Sequence, residues 1–195
     1  MNKARDLKVW SRHPRIQRAV AVIRGGGVVA YPTEAVWGLG CEPKNADAVE
    51  RILELKQRSV SKGLILLAAN IDMLAPYFVG LTQVQLEQMH ASWPGPVTWL
   101  IPNNGFAPEW ISGGQATLAV RVSAHPVAAG LSLALDSPLV STSANPGGLE
   151  PATSLTRVKV YFGNTLDDYT PGTISGAAKP SEIRDLLTNT VIRPA

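Results

Sequence analysis

The apolar positions of this chain follow helical spacing in some segments and strand spacing in others. Spacing of i, i+3, i+4, i+7, typical of a helix with one buried face, occurs at Ile16, Ala19, Val20 and Ile23. Residues 118–122 instead alternate, as in a strand. Short runs at 28–31, 64–67, 97–101 and 139–141 are apolar enough for buried strands. Further helices are predicted at about 46–56, from Thr82, at 126–135 and at 154–162.

Strands alternate with helices along the chain, which predicts an α/β fold. Residues 1–12 are predicted as a basic leader able to move, and residues 13–195 as a single domain whose last 25 residues form short strands or turns. A chain of 195 residues with 45% hydrophobic content can bury one core, which excludes extensive disorder. No apolar run approaches the ~20 residues that span a bilayer.

Cysteine and histidine usage argues against a metal centre. Cys41 is the single cysteine, and His13, His90 and His125 are far apart in the sequence. The N-terminus has no apolar stretch of the kind that a secretory signal needs, so a cytoplasmic location is expected.

Basic residues are concentrated in the first third of the chain. Through Lys62 there are 12 Lys and Arg against 6 Asp and Glu, a balance of +6, whereas residues 63–156 contain a single basic residue, Arg121. This distribution predicts a localised surface that attracts anions, with a solubilising N-terminal helix as the alternative.

Two polar segments follow apolar strands, where α/β sheets tend to bind ligands. In Tyr31-Pro32-Thr33-Glu34 the proline ends the strand, so Thr33 is expected to present its hydroxyl from a stiff turn. The segment Ser141-Thr142-Ser143-Ala144-Asn145 precedes Pro146-Gly147-Gly148 and could form a polar cradle around a ligand. An ordinary turn is the alternative for each.

Cations gather at the end of the 46–56 helix, at Lys56, Arg58 and Lys62. They could form a phosphate clamp, because arginine supplies a planar fork of donors and lysine a point charge. Alternatively, they complement the C-terminus of the helix, with Glu54 pairing with Arg58 at i, i+4.

Arg121 is expected to point away from the face that carries Leu118, Val120 and Val122. If both faces of the sheet are covered, its charge requires a partner, either an internal carboxylate or an anionic ligand. Acidic residues are few nearby, which favours the ligand.

The chain contains neither a Walker-type loop nor a complete dinucleotide fingerprint, and no Ser/His/Asp arrangement is legible. Its hydroxyls, amides and cations fit the binding of polyanionic and small polar substrates, with catalysis by positioning and electrostatics.

These motifs occur in one order together with Gly38-Leu39-Gly40, Trp93-Pro94-Gly95-Pro96-Val97-Thr98 and His125-Pro126. In that order the chain resembles the YrdC/TsaC family of threonylcarbamoyl-AMP synthases, in its single-domain bacterial form, over about residues 13–194. The resemblance implies a twisted, mostly mixed or antiparallel sheet with flanking helices around a deep cavity, the fold shared with DHBP synthase. It also implies that L-threonine, bicarbonate (or CO2) and ATP give threonylcarbamoyl-AMP and pyrophosphate.

The resemblance further implies partners, a cofactor and residue roles. The product would pass to proteins that form N6-threonylcarbamoyladenosine on tRNA, and Mg²⁺ would be bound through the ATP phosphates, with no metal site in the protein. Thr33, Arg121 and Ser141 would bind threonine. ATP would be bound by Lys56, Arg58, Lys62, Thr117, Ser143, Asn145 and Arg193, of which Lys56 and Arg58 would be catalytic.

Three positions depart from the family pattern. Ser59 stands where proline is usual, which is expected to loosen its loop, and Gly147 replaces a serine, which removes a hydroxyl contact. Ser181-Glu182-Ile183 replaces a Ser-Thr-Val segment and weakens the placement of Arg193. The alternative function is a module that binds structured RNA, such as tRNA or double-stranded RNA, through the basic first third.

Overall fold

Helices form where a capping residue precedes a segment of helical apolar spacing. Asn45 caps the third helix by accepting a hydrogen bond from the N–H of Ala48 (3.0 Å), and the ring of His125 caps the sixth. The computed structural model describes residues 3–176 and 180–194, with side chains described from Leu7 onward. Its α-helices are α1 (Lys3–Ser11), α2 (Pro14–Arg24), α3 (Ala46–Lys56), α4 (Gln83–Ser92), α5 (Glu109–Ser112), α6 (Pro126–Leu135) and α7 (Leu155–Phe162). Single 3₁₀ segments lie at Val60–Lys62, Asp72–Phe78 and Gly163–Thr165.

The strands form one mixed sheet in the order β7-β1-β2-β6-β3-β5-β4-β8-β9. The pairs β1–β7, β3–β5 and β4–β8 are parallel and the other five are antiparallel, so the predicted α/β fold with a mostly antiparallel, mixed sheet is confirmed. The strands are β1 (Val29–Pro32), β2 (Trp37–Gly40), β3 (Ile65–Ala68), β4 (Val97–Pro102), β5 (Thr117–Val122), β6 (Leu139–Ser143), β7 (Asp168–Tyr169), β8 (Glu182–Asp185) and β9 (Val191–Arg193).

Two apolar clusters anchor the helices to the sheet. Residues of α2 and α6 pack with Val29 and Tyr31 of β1 and with Leu67 of β3. A larger cluster holds the inward faces of α3 and α7 together with Val120 of β5 and Val140 of β6. Alternation along each strand therefore assigns its side chains to one layer or the other.

In one row of the sheet a single large side chain is flanked by two small ones, and this row lies under a cavity. Ile65 of β3 pairs with Ala119 on one side and with Ser141 on the other. In the next row, Leu67 lies between Arg121 and Leu139. The predicted orientation of Arg121, opposite to Val120 and its neighbours, is confirmed, because Arg121 and Ala119 both line the cavity above this row.

The segment expected to be a basic leader contains the first helix. Residues 3–11 form α1, which contacts α6, and a Cβ at Gly130 would lie 2.8 Å from Cβ of Trp10. The two helices therefore pack at very short range, and residues 1 and 2 lie outside the described part. No helix among the described residues is long and apolar enough to cross a membrane.

Candidate active site

A cavity of about 550 Å³ lies over the row of the sheet that contains Ile65. This is within the range of small-molecule sites, roughly 300–1,000 Å³. Its wall comes from the β1–β2 turn, the segment between α3 and β3, strands β5 and β6, and the C-terminal strands. Eight of the ten residues predicted for the site line it: Thr33, Arg58, Lys62, Thr117, Arg121, Ser141, Ser143 and Arg193. Lys56 and Asn145 do not.

The β1–β2 turn places Thr33 and Glu34 in the wall. Both are buried, at 6% and 8% exposure. The hydroxyl of Thr33 donates to the carbonyl of Val36 (2.6 Å), which leaves its oxygen able to accept a hydrogen bond from a ligand. The stiff turn predicted after Pro32 is confirmed, and β2, which follows it, was not foreseen from the sequence.

Glu34 is the internal partner of Arg121. Its Oε2 lies 2.6 Å from Nη2 of Arg121, and both side chains are buried. The preference for an anionic ligand as the sole partner is therefore wrong, because the carboxylate comes from a turn 87 residues earlier in the chain. Nε of Arg121 also donates to the carbonyl of Gly95 (3.1 Å), which fixes the guanidinium from a second side.

The segment after α3 brings two cations to the cavity. Arg58 is half-buried and donates from Nη2 to the carbonyls of Gly63 (3.0 Å) and Lys62 (3.3 Å), while its buried Nε has no partner among the described residues. Burial lowers the pKa of Arg58, and the charge of Arg193 lowers it further. Lys62 is exposed, and the expected Arg58 pairing with Glu54 is not found among the described side chains.

Arg193 reaches the same cavity from the far end of the chain. It lies on the edge strand β9, pairs in register with Ile183 of β8, and donates from Nη2 to the carbonyl of Ser181 (2.7 Å). The altered Ser181-Glu182-Ile183 segment is compatible with this placement, since Ser181 itself lines the cavity. Thr117 lies at the start of β5, four residues before Arg121.

Lys56 lies behind the cavity wall. It is 4% exposed, and its Nζ donates to the carbonyls of Ser143 and Asn145 (2.9 Å for Asn145) and to Oδ1 of Asn145 (3.3 Å). Its three N–H donors are thus engaged, so the structure does not support the predicted direct contact with phosphate. Burial, followed by the charge of Arg58, lowers the pKa of Lys56 to about 8.

Asn145 completes the same arrangement. Its Oδ1 accepts a hydrogen bond from the hydroxyl of Ser143 (2.6 Å), and its Nδ2 donates to the carbonyl of Leu149 (2.7 Å). Ser141 and Ser143 face the cavity, while Lys56 and Asn145 hold the loop that carries them. In the polar cradle, the hydroxyls of Ser141 and Ser143 therefore line the cavity, and Lys56 and Asn145 hold the loop in place by hydrogen bonds.

Ser59 and Gly147, which depart from the family pattern, both make close contacts in the structure. Ser59 accepts a hydrogen bond from the N–H of Ser61 (3.3 Å) and caps the 3₁₀ turn Val60–Lys62, so a capping contact stands where loosening was expected. A Cβ on Gly147 would lie 3.3 Å from the carbonyl of Lys56, so glycine permits the close approach of this loop to α3.

The charged residues of the cavity wall lie at different positions along β5. Lys62 precedes β3 by three residues and lies beside the start of β5, because β3 and β5 run parallel from Ile65 and Ala119. Thr117 and Arg121 are four residues apart on β5, about 13 Å along a strand. Lys62 therefore lies toward the start of β5 and the Glu34–Arg121 pair toward its end, while Arg193 is close enough to both Arg58 and Arg121 for their charges to interact. In the described part of the chain, no group of three or more His, Cys, Asp and Glu side chains could hold a metal ion.

The Sua5/YciO/YrdC family model, described as "Telomere recombination", matches residues 21–195. The chain belongs to this family. Threonylcarbamoyl-AMP synthase of Cellvibrio japonicus is 53% identical over 186 residues, which are 95% of this chain and 98% of that protein. The enzyme of the same name from Halorhodospira halophila is 53% identical over 179 residues, covering 92% and 94% of the two chains.

Solved structures of Sua5/YciO/YrdC proteins share the fold. The crystal structure of P. abyssi Sua5 complexed with L-threonine superposes with a TM-score of 0.86 at 32% identity, covering 92% of this chain and 53% of that one. The chain thus spans about half the length of that Sua5. E. coli YciO has a TM-score of 0.81 at 28% identity over 91% of this chain and 87% of its own.

Glu34 was not predicted as a site residue, although it belongs to the motif Tyr31-Pro32-Thr33-Glu34. The available signal was the isolation of Arg121: a cation on a covered strand needs a partner, and Glu34 is the single acidic residue in a turn that ends a buried strand.

Proposed function

We propose that this protein is an L-threonylcarbamoyladenylate synthase, which forms threonylcarbamoyl-AMP and pyrophosphate from L-threonine, bicarbonate (or CO2) and ATP. The observation that carries the proposal is one cavity whose wall combines several cations, suited to a triphosphate, with the Glu34–Arg121 pair and several hydroxyls, suited to an amino acid. Curated relatives that are 53% identical over nearly their full length carry out the synthesis that their name states.

The chemistry requires two substrates to meet. The nitrogen of threonine bonds to the carbon of CO2, which bicarbonate yields with loss of water, and gives up a proton to form a carbamate. An oxygen of this carbamate then attacks the α-phosphorus of ATP while the bond from that phosphorus to the bridging oxygen of the pyrophosphate breaks. Negative charge grows on the departing pyrophosphate. Arg58 and Arg193, each held by backbone carbonyls, and the exposed Lys62 supply positive charge where it develops.

The polar walls orient the reactants. Ser141 and Ser143 offer hydroxyls close to the floor of the cavity, and Thr33 and Thr117 offer two more. Holding an amine-derived nucleophile against a phosphorus atom removes much of the entropic barrier of a two-substrate reaction. Lys56 and Asn145 act one step back, by fixing the loop that presents Ser143.

ATP would enter as its Mg²⁺ complex. Glu34 is the single carboxylate among the described lining residues, and it is already occupied by Arg121. The donor set therefore fits a cation that is bound mainly by phosphate oxygens and water, which is how Mg²⁺ commonly binds at phosphate sites.

The test is incubation of the purified protein with L-threonine, bicarbonate, ATP and Mg²⁺, with mass detection of the adenylate and assay of pyrophosphate. We expect both products, each dependent on threonine and bicarbonate. Pyrophosphate release that needs no threonine, or no adenylate at any substrate concentration, would contradict the proposal.

We keep RNA binding as a second proposal, because Arg15, Arg18 and Arg24 of α2 are all exposed. Arg18 also pairs with Asp168 (3.3 Å), and Arg15 donates to the carbonyl of Tyr169 (3.2 Å). A gel shift with tRNA at two salt concentrations tests it: affinity should fall steeply with salt and not depend on ATP. Transfer of the product to tRNA-modifying partner proteins and a cytoplasmic location follow from the proposed function and stay predictions.

A further inference from the structure

A segment at the surface is bonded to the turn that carries Thr33. Residues 170–176, which we call the strap, follow β7 and run beside β1 and the β1–β2 turn. The N–H of Thr170 donates to the carbonyl of Ala30 (2.9 Å), and the N–H of Ser175 donates to the carbonyl of Thr33 (3.4 Å). Because Thr33 lines the cavity, the strap supports a residue of the cavity wall.

His125 joins the strap to helix α6. Its buried ring accepts a hydrogen bond at Nδ1 from the N–H of Val127 (3.3 Å), which caps the helix. Its Nε2 lies 2.9 Å from the carbonyl oxygen of Thr173. Since Nδ1 accepts and a carbonyl cannot donate, the ring is neutral and donates from Nε2. Burial lowers the pKa of His125, which favours the same neutral form. In the described part of the chain, His125 is the single side chain that hydrogen-bonds to the strap.

The start of α6 is also tied to the second residue of the turn. The hydroxyl of Ser123 donates to Oε1 of Glu34 (3.0 Å) and accepts a hydrogen bond from the N–H of His125 (3.1 Å). Because the strap is bonded to Thr33, these contacts form a closed ring through the turn, the strap and the start of α6. Loss of the bond from Nε2 of His125 would open this ring.

The strap packs closely against the elements beneath it. Gly172 has a φ of +109°, and a Cβ there would lie 2.9 Å from Cγ2 of Val127 and 3.3 Å from Cγ of Pro32. Glycine therefore permits the strap to approach the first turn of α6 and the end of β1 together. Ile174 packs against the larger apolar cluster. The path of the strap is thus set by packing on both sides of the residue that His125 holds.

We propose that His125 is a positioning residue of the cavity, which holds the strap through Nε2 and thereby fixes the turn that carries Thr33. His125 does not itself line the cavity, so it acts on the substrates only through this turn. The inference rests on the proposed function, in which the turn helps to bind threonine. The two ring nitrogens then have separate tasks, because Nδ1 stabilises α6 and Nε2 serves the site.

Two substitutions separate these tasks. Asparagine offers Oδ1 close to the position of Nδ1, as Asn45 does at the start of α3, so His125→Asn keeps a cap and removes the bond to the strap. Glutamine reaches further and offers an amide nitrogen close to the position of Nε2, so His125→Gln keeps that bond and removes the cap. Each variant is compared with the wild type in threonine affinity by calorimetry, in kcat, in Tm and in hydrogen exchange of residues 170–176.

The two variants should change different quantities. We expect His125→Asn to weaken threonine binding about 5–10-fold, the range for loss of one hydrogen bond, with kcat at saturating threonine within about twofold of the wild type. Its Tm should stay near that of the wild type, and amides of the strap should exchange faster. His125→Gln should instead lower Tm by about 2–4 °C and leave threonine affinity within about twofold of the wild type.

Two glycine variants test the strap without changing His125, and they decide the matter if a His125 variant does not fold. Gly172→Ala should displace the strap and weaken threonine binding as His125→Asn does. Gly176→Ala is the matched control, because its φ of +81° brings the same backbone strain while a Cβ would meet no atom of the described residues within 4 Å. It should bind threonine as the wild type does.

A role of His125 in stability alone would give a different pattern. Unchanged threonine affinity in His125→Asn overturns the proposal, and so does an equal loss of affinity in His125→Asn and His125→Gln. Faster exchange of the strap with no loss of affinity also overturns it, because the strap would then not position the site. If the wild type makes the adenylate, these results reject only the role of His125. Wild-type protein that makes no adenylate rejects the proposed function and this inference with it.

Discussion

Replacing Lys56 by methionine distinguishes a residue that binds phosphate from one that supports the wall. Methionine keeps an unbranched side chain of similar length and removes the charge and the three donors. In the structure these donors go to the loop that holds Ser143 and Asn145, and Lys56 is not among the residues that line the cavity. We therefore expect Lys56→Met to loosen this loop and to leave the cations of the cavity wall in place.

Two opposing effects set the size of the change in stability. The substitution leaves the carbonyls of Ser143 and Asn145 without their donor, at a cost of about 1–3 kcal/mol each. It also removes a buried ammonium group whose pKa is lowered from 10.5 to about 8. Keeping this group charged in the folded state costs about 3 kcal/mol, which the substitution recovers. The net loss of unfolding free energy should thus stay below about 3 kcal/mol, which lowers Tm by at most about 10 °C in a chain of this size.

The assay combines steady-state kinetics with hydrogen exchange. Lys56→Met should raise KM for threonine and ATP about 10-fold through the displaced hydroxyls, and amides of residues 143–149 should exchange faster. The reasoning is refuted if kcat falls a thousandfold while exchange in residues 143–149 stays as in the wild type. That pattern would mean that Lys56 reaches the phosphates directly.

The same residue gives a dependence on pH. Because the pKa of Lys56 is about 8 in the folded state and 10.5 in the unfolded chain, the unfolded state holds more protons between these values. This contribution to stability therefore rises with pH from 8 to 10.5 and is lost as the pH falls through 8. Urea unfolding at pH 7.5 and 9.5 should show the rise in the wild type relative to Lys56→Met, and identical pH profiles would contradict it.

Three further outcomes are expected. Arg58→Met should lower kcat about 10²–10³-fold with little change in KM for threonine, as stopped assays of pyrophosphate release would show. Gly113→Ala should destabilise the protein and raise KM for ATP, because φ is +68° and a Cβ would clash with the carbonyl of Val60. Gly114→Ala is the control, because its φ is also positive but a Cβ would meet only Oε1 of Glu109, at 3.8 Å. Burial raises the pKa of Asp167, but hydrogen bonds from the N–H of Val28 and from Arg51 outweigh this effect and hold the pKa below its usual range. The free energy of unfolding should therefore fall as acid protonates this carboxylate. In urea unfolding at several acidic pH values, Asp167→Asn should remove that fall.

Much of the fold could be predicted because periodicity and caps are local. The helix of 14–24 and the strand of 117–122 follow from spacing within one segment, and His125 and Asn45 act as caps on residues two or three positions away. The short strand β2 was not predicted, because Trp37–Gly40 contains two glycines and becomes a strand through pairing with β1 and β6. Such a segment carries little information on its own conformation.

The sequence indicated which residues belong to the candidate site better than it indicated where their side chains point. The family resemblance implied that Thr33, Arg58 and Arg121 share one cavity, and all three line it. What the motifs did not specify was direction: Lys56 and Arg58 are two residues apart, yet one faces a loop and the other the cavity. Partners such as Glu34 and Arg121, far apart in the chain, are set by tertiary contacts that no local pattern records.

The walls of the cavity are drawn from almost the entire length of the polypeptide. Thr33 and Arg193 are 160 positions apart, and the strand that carries Arg193 joins the sheet at its outer edge. During synthesis most of the sheet can assemble before that strand has been made, so affinity for a triphosphate should be acquired at the end of folding. Nucleotide binding therefore indicates that the final strand has paired with the sheet. A molecule in which this strand does not pair would keep its core but would have no activity.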